Sequence, residues 1–271
     1  MLIRDTKSMN KKVNKFRVEN DSMGDVKIPS DALYGPQTQR AVDNFLISDL
    51  VMPREFISSI LRVKIAAAKA NYKLGLIDKK ICETIVRSAE FLQKSYVDEN
   101  FPIDVFQTGS GTSTNMNVNE VISNISKKKF KIKLHPNDHV NMSQSSNDVI
   151  PSAINHCAYS IANTKLLPSL VLLSKEIDSK SKKLRNVVKT GRTHLMDAMP
   201  ITFEQELSGW KSQVDDNISS LKNTLLRLKR LTIGGTAVGT GINAHKLFTK
   251  EFLVALNKNS KLKYIDKKNK F

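Results

Sequence analysis

From Phe203 to Leu228 an apolar residue recurs every three or four positions, through Leu207, Trp210, Val214, Ile218, Leu221 and Leu225. A stripe of that period and length is one face of a helix of about seven turns, which must bury that face against other long helices. A second stripe runs through Ile154, Ala158, Ile161, Leu170, Leu173 and Ile177, with Pro168 placed to kink it. Two long antiparallel helices of a bundle are therefore expected after about residue 143. Before that point the elements are shorter. Phe16–Val18 and Val26–Ile28 alternate around a polar turn and predict a β-hairpin. Pro53 opens a helix carrying Ile57, Ile60, Leu61 and Ile65, Gly75 closes it, and a further helix is expected from about Asp78 to Lys94. The expected fold class is mainly α, with domains over 1–143 and 144–271.

Three polar blocks punctuate this helical pattern. Gly109-Ser110-Gly111-Thr112-Ser113-Thr114-Asn115 holds hydroxyls and amides with almost no charge, the neutral donors that suit a small anion. Ser145-Ser146-Asn147-Asp148 stands where the first long helix begins, and there free backbone N–H groups and the helix dipole favour an anion. The same residue types are ordinary helix caps, so capping and binding both remain open at this point. Thr190-Gly191-Arg192-Thr193-His194 sets an imidazole beside a hydroxyl, in what reads as a loop entering the next helix, and such a histidine can move a proton at neutral pH.

Other readings are weaker. The net charge of +17, with the cluster Lys127-Lys128-Lys129-Phe130-Lys131, invites nucleic acid, but lysine is spread over the whole chain and heavily outnumbers arginine, as on a solvated surface, so no nucleic-acid partner is expected. His135 and His139 are four apart, yet Pro136 and Asn137 argue against a regular helix and hence against a metal pair. Gly239-x-Gly241 follows a helix and not a buried strand, which argues against a dinucleotide loop. Cys82 and Cys157 read as buried thiols. No stretch is apolar enough to span a membrane and no leader is recognised, so a cytoplasmic location is expected; Met9 is a plausible alternative start.

In their order and spacing the three blocks, with His135-Pro136-Asn137-Asp138 between them, resemble the class II fumarase branch of the fumarase/aspartase superfamily. The resemblance runs from Asn14 to about Phe248. It implies the fold of that superfamily and reversible hydration of fumarate to (S)-malate in the tricarboxylic acid cycle, with no cofactor and a homotetrameric assembly. It implies that Ser110, Thr112, Asn115, Ser145, Ser146 and Asn147 bind a dicarboxylate, that Thr193 contacts it, and that His194 is catalytic and handles the proton of water. His135, Asn137 and Asp138 correspond to an accessory dicarboxylate site. The family's Gly-Ser-Ser-x-Met-Pro-x-Lys-x-Asn loop, which supplies the base for the carbon-bound proton, has no match here. The chain therefore resembles an N-terminal fragment, with an incomplete bundle and no expected activity alone. An aspartate ammonia-lyase and a non-catalytic remnant are the alternatives; the former usually has glutamine at the position of His194.

Overall fold

A computed structural model describes residues 15–258 and 260–271; Met9 and Asn14 lie outside the described residues. The chain opens with β1 (Phe16–Asp21) and β2 (Gly24–Pro29), an antiparallel hairpin as the alternation predicts. Arg17 staples the hairpin to the segment leading into the first helix, because its guanidinium donates to the carbonyls of Pro29, Ala32 and Tyr34. Helix α1 (Pro36–Asn44) comes next. Its first-turn N–H groups have no partner within the helix, and a carboxylate from far along the chain fills the gap: Glu120 accepts from the N–H groups of Gly35, Gln37 and Thr38 and from the Thr38 hydroxyl.

Helix α2 (Arg54–Lys73) is the centre of the molecule. Pro53 precedes its first turn, and Gly75 leaves it at φ +73°, a left-handed conformation that favours glycine. Ile57, Ile60, Leu61, Val63 and Ala67 are fully buried against α3 (Lys79–Lys94), capped by Asp78, and α4 (Thr112–Phe130).

The first long helix starts at Ser146. It runs as α5 (Ser146–Ile161), one π turn over Ala162–Leu166, and α6 (Leu167–Lys183). Pro168 has no N–H to donate and its ring crowds the preceding turn, and the looser π spacing just ahead of it absorbs the misfit. Helix α7 (Phe203–Leu228) returns antiparallel: Ser181 bonds to the Glu204 carbonyl, Ser174 to Asp215, and Asn155 to the Arg230 carbonyl. The segment between α6 and α7, expected as a loop, is a second antiparallel hairpin of β3 (Val188–Thr193) and β4 (Met196–Thr202).

After α7 come β5 (Arg230–Leu231), a glycine-rich loop, α8 (Phe248–Asn257) and β6 (Ile265–Asp266). The β5 and β6 strands pair in parallel over two residues each, a feature no sequence pattern announced, and far shorter than the buried strand a dinucleotide loop requires. Helix α8 packs on α2, and Phe248, Phe252, Leu231 and Ile233 join the same apolar cluster as Ile57 and Ile60. The core is thus shared by segments on both sides of residue 143. By contrast, α6 and α7 bury little: Leu172 (59 %) and Trp210 (53 %) stand open. Among the described residues no helix is long and apolar enough to cross a membrane.

Candidate active site

The N-terminal turns of α4 and α5 meet in the interior. Ser110 lies in the short 3-10 turn Gly109–Gly111, and Gly111, at φ +68°, swings the chain into α4. Thr112 comes next, with its hydroxyl donating to the Gly109 carbonyl. One turn on, Asn115 is fully buried, and its amide donates to Ser146 Oγ at 3.2 Å and to Asn141 Oδ1 at 3.1 Å. Asn119 donates to that same Asn141 oxygen at 3.3 Å. Two oxygens here, Asn115 Oδ1 and Asn119 Oδ1, are buried without a hydrogen-bond partner among the described residues. An amide oxygen so placed calls for a hydrogen-bond donor.

Beneath the amides sits Lys64. It belongs to α2, is wholly buried, and donates to Asn141 Oδ1 at 2.9 Å and to Gln144 Oε1 at 3.0 Å. Burial pulls its ammonium down to about 7, against the attraction of Asp148. Asp148 is itself pushed up by burial, while the N–H groups of Ser145, Thr236 and Gly234 and the charge of Lys64 hold it down.

Capping accounts for part of the second block. Ser145 and Asp148 form a capping box in which each side chain meets the other's backbone. Asp148 also accepts from Gly234 and Thr236 at 2.9 Å each, and Asn147 donates to the Ala237 carbonyl at 2.8 Å. The glycine-rich loop is therefore clasped across the start of α5. Asn147 lines a cavity of about 300 Å³ there, with Lys267 and Lys270.

Thr193 and His194 lie elsewhere. The β3–β4 hairpin reverses at His194 and Leu195, with φ +48° and +63°, and Leu195 is 97 % exposed. His194 is exposed too, and among the described residues no hydrogen bond or ion pair joins Thr193 or His194 to Asn115 or Ser146. Gly191 is needed in this hairpin, because a Cβ there would fall 2.6 Å from the Met199 carbonyl. The expected loop is corrected to a hairpin whose tip carries the histidine outward.

His135 starts a π turn over Pro136–Val140. Its Nδ1 accepts from the Asp138 N–H and stands 3.1 Å from the Asp138 carboxylate, while Asn137 is exposed. His139 accepts from the His135 N–H, so the two imidazoles serve the turn. Among the described residues no cluster of His, Cys, Asp or Glu could hold a metal ion. His135 also lines a cavity of about 410 Å³ with Lys127, Lys133, Glu19 and Glu120.

Lys64, Asn119, Asn141 and Gln144 complete this cluster; Asn141 and Gln144 fall in the stretch that carries the resemblance, but none of the four was given a role from the sequence. A signal existed for Lys64: it follows Ile57, Ile60 and Leu61 at helical spacing, and a lysine on a core stripe is out of place unless it is used.

A family model described as lyase matches residues 24–271. The chain belongs to the lyase family. A curated class II fumarate hydratase of Xylella fastidiosa (strain 9a5c) is 47 % identical over 258 residues, which are 95 % of this chain and 54 % of that protein. A second, from Pseudomonas aeruginosa, is 48 % identical over 242 residues, 89 % of this chain and 53 % of its own length. The crystal structure of a class II fumarase from Schistosoma mansoni superposes with a TM-score of 0.88 at 39 % identity, over 95 % of this chain and 58 % of that one. The fold is accordingly fumarase/aspartase-like and mainly helical. The chain spans about half the length of the curated relatives it matches.

Proposed function

We propose that this chain supplies the dicarboxylate-binding part of a class II fumarate hydratase, which adds water reversibly to fumarate to give (S)-malate. The observation that carries the reading is the meeting of Asn115 and Ser146 at the start of α5, joined through Asn141 to a buried lysine. Taking the carbon-bound proton from malate puts charge onto the adjacent carboxylate, and preorganised donors stabilise that charge where water is excluded. In this reading Ser110, Thr112, Asn115, Ser145, Ser146 and Asn147 hold the dicarboxylate, and Thr193 contacts it. His194 exchanges the proton of water, and His135, Asn137 and Asp138 form an accessory site.

The outward hairpin favours a shared site. In a homotetramer of long-helix bundles, the exposed tip of β3–β4 offers Thr193 and His194 to the α4–α5 donors of another copy, and the open faces of α6 and α7 are the surfaces that pair. The protein then works in the cytoplasm, in the tricarboxylic acid cycle. The division into an N-terminal domain over 1–143 and a bundle domain from 144 belongs to the same reading.

The test is an ultraviolet assay of fumarate formation by a polypeptide of the relatives' full length that contains this chain. Conversion of malate without conversion of aspartate supports the reading, whereas release of ammonia from aspartate favours the ammonia-lyase branch. The 271-residue polypeptide alone, which contains no Gly-Ser-Ser-x-Met-Pro motif, is expected to hold fumarate without turning malate over.

A further inference from the structure

Lys64 stands on the core face of α2, where a lysine must be compensated or neutral. Its hydrogen-bond partners, Asn141 and Gln144, are neutral amides. The Asn141 oxygen receives three donors at once, from Lys64 at 2.9 Å, Asn115 at 3.1 Å and Asn119 at 3.3 Å. A continuous path therefore leads from the ammonium through Asn141 and Asn115 to Ser146.

The charged groups around Lys64 leave it poorly balanced. From α5, Asp148 attracts it, but that carboxylate already receives the N–H groups of Ser145, Gly234 and Thr236. From α4, Glu120 is spent on Gly35, Gln37 and Thr38. No charged group of α3, α8 or the π turn at Pro136 acts on it among the described residues.

We propose that Lys64 is the counter-charge of the dicarboxylate site: a carboxylate that accepts from the Ser146 hydroxyl, which Asn115 orients, is felt by its ammonium through Asn141, so ligand binding and protonation of Lys64 are coupled. The proposal rests on the fumarate reading and deepens it. Lys64 is a positioning residue, since Asn141 and Asn115 stand between it and Ser146. When the site is empty, burial favours the neutral amine, whose two N–H groups still serve Asn141 and Gln144. Arrival of a dianion reverses that preference, and one proton enters from solution. By linkage, whatever raises the proton affinity of Lys64 on binding raises ligand affinity by the same factor.

The 271-residue chain itself provides the test. Lysine Cε is labelled with carbon-13, Lys64 is assigned through Lys64→Arg, and its resonance is followed by NMR from about pH 5.5 to about 9.5, with and without sodium fumarate. Saturating fumarate is expected to raise the Lys64 midpoint by at least about one pH unit, a tenfold gain in proton affinity. Sodium sulfate at matched ionic strength is expected to raise it less. If fumarate moves the backbone amide resonances of Asn115 and Ser146 while the Lys64 midpoint stays, the coupling is refuted and the fumarate reading survives. If fumarate moves neither, both fall. Should Lys64→Arg not fold, calorimetry of fumarate binding to the unaltered chain in two buffers of different ionisation enthalpy counts the protons instead. At about pH 7.5 uptake of at least about half a proton per fumarate is expected, and uptake near zero overturns the proposal.

Discussion

Burial keeps His156 neutral in the folded protein down to about pH 4. It is buried between Ser59, whose hydroxyl is 3.0 Å from its Nδ1, and the ring of Tyr264 stacked on it, and burial holds it down to about 4 from an ordinary value of 6.5. Its contribution to stability is complete above about pH 6.5 and is lost as the pH falls towards about 4, because the unfolded chain takes up the proton first. The loss expected from this group is about 3 kcal/mol, read as the change in unfolding free energy by urea denaturation across that window, and His156→Asn should flatten the slope. The other histidines are surface groups with different duties. In an active polypeptide of full length, His194→Asn is expected to lower malate dehydration at least about a hundredfold, while His135→Asn leaves turnover nearly unchanged. A larger loss from His135→Asn in steady-state kinetics would overturn the assignment of roles. At this scale the sequence singled out Asn115 and Ser146, which do meet, but it offered no way to see that Asn141 links them to a lysine 77 residues away from it in the chain. Only packing brings α2 under the loop.

Among the elements, the β3–β4 hairpin is the least expected, and the reason lies in two residues. A two-residue hairpin turn of type I′ needs φ above zero at both central positions, which Asn-Gly supplies cheaply, and here His194 and Leu195 supply it. Without turn residues at the reversal, the stretch reads as a loop. Leu195 points into solvent, so its left-handed conformation costs stability with no packing in return. Leu195→Asn is therefore expected to stabilise the hairpin by about 0.5 to 1 kcal/mol, seen as slower amide hydrogen exchange across the Thr193–Met196 pair. Faster exchange would mean that the leucine has a partner in solution. The helices were easier to read, because Pro53, Gly75 and Asp78 are boundary signals that act locally. The first turn of α1 was not legible, since its cap is Glu120, more than eighty residues on. Glu120→Gln keeps the size but turns an acceptor into a donor facing N–H groups, and about 2 kcal/mol of stability should be lost in urea denaturation.

For the whole molecule, the long stripes promised a bundle, and α6 and α7 do pack antiparallel, yet Trp210, Leu172 and Leu226 remain open. Apolar patches of that kind mark surfaces that associate. Sedimentation velocity at micromolar concentration should find the chain self-associated, with Trp210→Glu weakening the association at least about tenfold. A monomer at all concentrations would remove the support for a shared site. The clasp of Asp148 on Gly234 and Thr236 bears on how the protein is made as well as on what it binds. Those partners are 86 and 88 residues apart, and α8 closes on α2 over a greater separation still. Contacts so distant in sequence form late and slowly. While the chain is being synthesised, the donors at the start of α5 have no lid and the core around Ile57 has no Phe248 until the polypeptide has emerged past the glycine loop, so the site cannot close before that loop has been made.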